Sequence, residues 1–187
     1  MICSGSRSPC PGGSKMALQW DVYETDLGWI GAAFSAVGLR LLTLPQKTEE
    51  EAICLLQKTA QAPLGKRCTP SFAAELAEDL LAYAQGEELR CDLPLDLTGL
   101  TAFQRSVLNV LRQVAFGQLT SYGELARAAG YPGAARAVGQ VMANNPLPLV
   151  IPCHRVLRSD GSLGGFGGGP EMKQRLLRLE GVEVEGR

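Results

Sequence analysis

The chain has 187 residues, with 18 Lys or Arg, 19 Asp or Glu, six Cys and a single His. At 45% hydrophobic and 20% charged it has an ordinary globular composition, and its length fits one large domain or two small ones. One His excludes a His-Glu-x-x-His zinc enzyme and a Cys2His2 finger, and the net charge of −1 argues against nucleic acid if charge is evenly spread.

Charge is not evenly spread. Residues 1–95 hold 8 basic and 12 acidic residues, whereas residues 96–187 hold 10 basic and 7 acidic. Between Arg105 and Arg158 the bases are Arg105, Arg112, Arg127, Arg136, Arg155 and Arg158, and Glu124 is the one acid, a local excess of +5. Arginine pairs with phosphate as a fork. A solvated basic face and a nucleic-acid surface both fit this pattern.

No two cysteines form a Cys-x-x-Cys, and the chain is long enough to bury a core without disulfides. Residues 1–15 are polar and rich in Gly, Pro and Ser, with no apolar core of a signal peptide. They read as a disordered tail, with Met16 as an alternative start. No apolar run reaches membrane-spanning length. A cytoplasmic protein with reduced thiols is expected.

In chain order, Trp20–Glu24, Trp29–Phe34 and Leu39–Leu44 read as strands, with turns at 26–28 and near Gly38. Thr48 and Glu51 form a capping box for a helix to about Ala60. Residues 63–70 read as a loop. Ser71 caps a second helix, with Phe72, Leu76, Leu80 and Leu81 on one face and a stop near Gly86. Residues 89–99 show no helix signal and place a domain boundary near 95.

The second half reads as mainly helical. Thr101 and Gln104 form a capping box for a helix through Ala115, ended by Gly117. Ser121 and Glu124 cap a short helix to about Ala129. Gly130-Tyr131-Pro132-Gly133 is a turn, and Ala134–Ala143 is a third helix. Two short helices about a tight Gly turn fit a helix-turn-helix; two packed core helices fit as well. Leu147–Ile151 reads as extended, and a last helix begins at Pro170 and ends before Gly181. The Gly-rich stretch 164–169 is neither a dinucleotide fingerprint nor a phosphate loop with its Lys.

The one His directly follows Cys153. A thiolate is the nucleophile, so a reactive Cys needs a base, a cation or a helix N-terminus beside it. On an extended segment, adjacent residues point to opposite sides, so His154 either contacts Cys153 directly or acts through a water. A carboxylate such as Glu180 would orient the imidazole.

The run Ile151-Pro152-Cys153-His154-Arg155-Val156 resembles the active-site motif of the O6-alkylguanine-DNA alkyltransferases. Phe116-Gly117, Ser121-Tyr122, Ala134–Gly139, Asn145-Pro146, Leu176-Leu177 and Glu180-Gly181 follow the same family in order. The resemblance covers about Thr101 to Gly181 well and the first half weakly.

It implies an α+β N-terminal domain (16–95) with antiparallel strands and helices, and a mainly helical, winged helix-turn-helix-like domain (96–187). It implies a suicidal repair protein that takes the alkyl group from O6-alkylguanine, and from O4-alkylthymine, in duplex DNA. Cys153 would accept the alkyl group, His154 would remove the thiol proton through a water, Glu180 would orient the imidazole and Asn145 would brace the turn. The protein would lie in the minor groove, with Arg136 filling the space of a flipped-out guanine and Tyr122 pressing on the adjacent phosphate. Ala135, Gln104, Ser121 and Ser159 would touch DNA. Pro148, Val156, Phe166, Gly167 and Gly168 would line the base pocket, with backbone amides around Val156 and Gly167-Gly168 as donors to the leaving guanine.

Many family members have Tyr where Phe166 stands, and Phe166 cannot donate a proton. Some bind zinc with Cys and His in the first domain; no second His remains here, so no metal and no cofactor are expected. A monomer is the default. A DNA-binding module without chemistry and a cysteine hydrolase are the competing readings of the same residues.

Overall fold

A computed structural model of the chain describes residues 17–60 and 62–184; the expected tail, Met16, Cys3 and Cys10 lie outside the described residues. Three strands open the described part of the chain: β1 (Leu18–Thr25), which mixes polar and apolar residues, the wholly apolar β2 (Gly28–Phe34), and β3 (Leu39–Leu42). β1 pairs antiparallel with β2, and β2 with β3. Ile30, Ala32 and Phe34 face the main core, while Ala33 on the opposite face packs with Leu18, Leu41 and Leu56. Leu56 belongs to α1 (Glu49–Thr59), whose N-cap Thr48 accepts from the Glu51 amide. The Glu51 carboxylate bonds the Lys47 amide, one residue earlier than a capping box requires.

The expected loop at 63–70 contains a fourth strand. β4 (Leu64–Arg67) pairs parallel with β1 and completes the sheet order β3-β2-β1-β4. Its Gly65, Lys66 and Arg67 are exposed, as suits a charged edge strand, so no local alternation announces it. Ser71 opens a 3₁₀ turn (Ser71–Ala73), and α2 (Leu76–Ala84) starts later than expected. α2 buries Leu76, Leu80 and Tyr83, whereas Phe72 and Leu81 are exposed. Residues 89–99 run beside β3, with the Leu39 amide bonded to Pro94 O and the Asp96 amide to Leu39 O.

α3 (Ala102–Leu111) opens on a complete Thr101–Gln104 capping box and gives way to successive turns before Gly117. α4 (Tyr122–Ala128) opens on a complete Ser121–Glu124 box. Gly130 and Gly133, both at φ +87°, turn the chain into α5 (Ala135–Ala143), and α3, α4 and α5 pack together. β5 (Thr120–Ser121) and β6 (Val156–Leu157) pair parallel, and α6 (Gly169–Leu179) closes the chain with Glu180 as its C-cap. The molecule is a mixed α+β protein in which one apolar cluster takes Phe34, Leu39 and Tyr83 from the first half and Leu108, Val138, Leu147 and Leu176 from the second. No helix among the described residues is long and apolar enough to cross a membrane.

Candidate active site

Three prolines shape the segment that carries Cys153. Pro146, Pro148 and Pro152 lack amide donors, and Leu147–Ile151, expected to be extended, is a tight turn. The Ile151 amide closes onto Leu147 O at 2.8 Å, and Leu149 takes φ +73° inside it. Asn145 holds both ends: its Nδ2 donates to Ile151 O at 2.7 Å and its Oδ1 accepts from the Leu147 amide at 3.1 Å. Pro152 (φ −80°, ψ 70°) then forms an inverse γ-turn, with the Cys153 amide 2.8 Å from Ile151 O. The first half contributes a strut here, since the Leu42 amide of β3 donates to Pro146 O at 2.9 Å.

Cys153, His154 and Arg155 form a 3₁₀ turn and are all buried. The expectation of an extended segment is corrected: the γ-turn at Pro152 starts a helical turn in which neighbouring side chains need not point to opposite faces. Nε2 of His154 lies 2.8 Å from Oε1 of Glu180. Glu180 is an acceptor, so Nε2 carries the proton and Nδ1 is the basic nitrogen. That Nδ1 is buried and has no protein partner.

Glu180 is the hub. Arg155 donates Nε to Oε2 at 2.8 Å and Nη2 to Oε1 at 2.9 Å, the Gly117 amide donates to Oε2 at 3.1 Å, and Tyr83 donates its hydroxyl to Oε1 at 2.9 Å. Gly117 has φ +71°, and a Cβ there would meet Glu180 O at 3.1 Å, so glycine alone lets this amide approach. The Arg155 guanidinium also lies over the Phe116 ring at 5.8 Å and donates Nη1 to Val114 O.

These contacts set the protonation states. Burial alone would raise the Glu180 carboxyl, but the hydrogen bonds of His154 and Arg155 outweigh it and hold the group at about 2. Burial pushes His154 below its ordinary value against the pull of Glu180, so the imidazole is neutral at neutral pH. Burial pushes the Cys153 thiol up, opposed by Asn145 and by the charge of Lys173. The site at rest therefore pairs a protonated thiol with a neutral imidazole: a nucleophile that must lose a proton, and a base able to take it.

Two members of this site carry no local sequence signal of their role, and a third is an arginine of the basic stretch. Tyr83 arrives from the first half, and its only local sign is its place on the α2 face of Leu76 and Leu80, seven and three residues after them. Lys173 is fully buried on α6, with Nζ donating to Val156 O at 2.5 Å and to Leu163 O; burial lowers it to about 8. Arg155, one of the six bases between Arg105 and Arg158, spends its charge on Glu180.

The remaining candidates fall around this centre. Tyr122, half-buried at the start of α4, places its hydroxyl 3.3 Å from Gly165 O. Arg136 is exposed on the first turn of α5 beside the half-buried Ala135, and Ser159 is exposed after β6. Gln104 uses Oε1 on the Thr101 amide, which leaves its amide hydrogens free, and Ser121 accepts from the Glu124 amide at the start of α4. Pro148 and Val156 are buried, Phe166 packs half-buried against the core, and Gly167 and Gly168 are exposed next to Leu44. The Val156 amide closes the 3₁₀ turn onto Cys153 O, so this donor is already engaged.

Residues 102–182 match the profile of the 6-O-methylguanine DNA methyltransferase, DNA binding domain. The chain is 42% identical over 164 residues to the methylated-DNA–protein-cysteine methyltransferase of Methanosarcina acetivorans, which spans 88% of this chain and 99% of that protein. It is 48% identical over 111 residues to the protein of that name from Mycolicibacterium paratuberculosis, 59% of this chain and 67% of that one. Its fold resembles that of Mycobacterium tuberculosis OGT in complex with DNA (TM-score 0.70, 32% identity, 87% of this chain and 92% of that chain). It also resembles the O6-methylguanine-DNA methyltransferase of Pyrococcus kodakaraensis (TM-score 0.66, 30% identity, 88% and 100%). The chain belongs to the methylated-DNA–protein-cysteine methyltransferase family.

Proposed function

We propose that this protein repairs O6-alkylguanine, and O4-alkylthymine, in duplex DNA by moving the alkyl group irreversibly to Sγ of Cys153. The observation that carries this reading is the buried Cys153–His154 pair, with Nε2 of His154 bonded to Glu180 and Nδ1 unpartnered. The thiol proton passes through a water to Nδ1. Sulfur attacks the alkyl carbon, the carbon–oxygen bond breaks, and its electron pair leaves with the base, which regains a proton as ordinary guanine. Glu180 stabilises the imidazolium that forms, and Asn145 fixes the turn that presents the sulfur.

A stacked base hides its O6 group, so the nucleotide must leave the helix. In this reading α3, α4 and α5 with the β5–β6 pair act as a winged helix-turn-helix in the minor groove. Arg136 enters the stack, Tyr122 presses on the neighbouring phosphate, and Ala135, Gln104, Ser121 and Ser159 touch the backbone. The extruded base lies among Pro148, Val156, Phe166, Gly167 and Gly168. With Phe166 unable to donate and the Val156 amide engaged, the exposed amides of Gly167 and Gly168 are the donors to the leaving base. The division at residue 95 separates this DNA-binding part from an N-terminal part that props it. The protein works as a monomer in the cytoplasm, a setting that suits the free thiols of Cys54, Cys68, Cys91 and Cys153.

The test is stoichiometry. With excess duplex carrying O6-methylguanine, repair is expected to stop after one equivalent per protein. Continued turnover would establish a hydrolase, and binding without loss of the methyl group would establish a recognition module.

A further inference from the structure

We infer that Tyr83 is a positioning residue of the alkyl-transfer site, supplied by the N-terminal half to hold Glu180 in the orientation that keeps His154 a neutral, Nε2-protonated base. The inference rests on the reading of Cys153 as alkyl acceptor and His154 as its base.

Tyr83 lies in the last turn of α2 and is fully buried. Its ring meets Phe116 edge-on, centroids 6.4 Å apart at 89°. Its hydroxyl is 2.9 Å from Oε1 of Glu180 and 3.3 Å from Nε2 of His154. Oε1 thus receives Tyr83, His154 and Arg155, and Oε2 receives Arg155 and Gly117. A carboxylate offers about four lone-pair sites, so every one is filled and the carboxylate cannot rotate without losing a bond. Saturation also spreads its negative charge over fixed donors, which limits how strongly Glu180 raises the proton affinity of the imidazole.

Burial and the neighbouring Glu180 charge push the phenol far above its ordinary value, so Tyr83 stays a donor at every working pH. The groups facing His154 are Tyr83 from α2, Cys153 and Arg155 from its own turn, and Lys173 and Glu180 from α6 and its cap. Arg155 and Lys173 oppose protonation of the imidazole, and Glu180 promotes it. Tyr83 carries no charge of its own, and it acts by moderating Glu180.

The single His allows a direct readout, since a [¹⁵N]histidine-labelled sample gives one imidazole. In Tyr83→Phe, which keeps the ring against Phe116, Glu180 turns its freed capacity onto His154. The Nε2 proton resonance moves downfield and the imidazole protonation midpoint rises by about half a unit to one unit, the equivalent of one typical net hydrogen bond. The acid limb of the methyl-transfer rate rises with it. Resonances and acid limb superimposable on the wild type would overturn the inference. If the wild type transfers no methyl, the functional reading fails, while the NMR comparison still decides whether Tyr83 governs His154. If Tyr83→Phe does not fold, 3-fluorotyrosine placed at position 83 keeps the shape and strengthens the donor. The midpoint then falls, and an unmoved midpoint overturns the inference.

Discussion

Arg155 and Glu180 meet in a buried fork, Nε to Oε2 at 2.8 Å and Nη2 to Oε1 at 2.9 Å. A guanidinium committed in this way is not a phosphate contact. Removing one partner strands a buried charge, so Arg155→Ala is expected to cost about 3–5 kcal/mol, read from urea denaturation midpoints. Arg155→Lys loses the fork but keeps a cation; it should lower the midpoint while leaving the salt dependence of DNA binding as in the wild type.

Arg136 is the opposite case, exposed on the first turn of α5. Arg136→Ala should slow methyl transfer from duplex by about tenfold or more, because a few kcal/mol of unstacking are no longer offset. Transfer from free O6-benzylguanine, which needs no flipping, should change little. Single-turnover rates on both substrates check this, and equal losses would refute the plug role.

Asn145 joins the two ends of the turn before Cys153. Asn145→Ala leaves Ile151 O and the Leu147 amide without their partner, each at about 1–3 kcal/mol. A lower melting temperature and a slower transfer are expected together. Asn145→Asp keeps the acceptor for Leu147 but loses the donor, and should fall between.

The protonation states give stability a direction with pH. Burial places His154 below its ordinary value of 6.5 in the folded state, so its contribution is present above about 6.5 and is lost as pH falls below it. Glu180, held at about 2, adds a second loss as pH falls below about 4.3, where an unfolded glutamate begins to protonate. Urea midpoints should therefore decline from pH 7 downward and fall more steeply below about pH 4.5. A midpoint flat down to pH 4.5 would contradict a buried neutral His154.

How legible these features are in sequence follows from how local their causes are. The capping boxes at Thr101–Gln104 and Ser121–Glu124 span three residues and form as read. The β1–β2 hairpin follows from two short strand-forming runs about a Gly turn. β4 is illegible because its partner β1 lies more than 40 residues earlier and its own side chains face solvent. The Cys153–His154–Glu180 centre is marked by motif, but Tyr83 and Lys173 join it only through tertiary packing. Arg155 looks like every other arginine of the basic stretch until α6 places Glu180 against it. The +5 count from Arg105 to Arg158 thus overstates the charge available to DNA.

The most direct measurement is where the methyl group goes. After incubation with duplex O6-methylguanine, peptide mapping by mass spectrometry should find one methyl on the peptide bearing Cys153 and none on those bearing Cys54, Cys68 or Cys91, and Cys153→Ala should bind DNA and gain none. A methyl on another cysteine, or an unmodified Cys153 beside repaired DNA, would contradict the account.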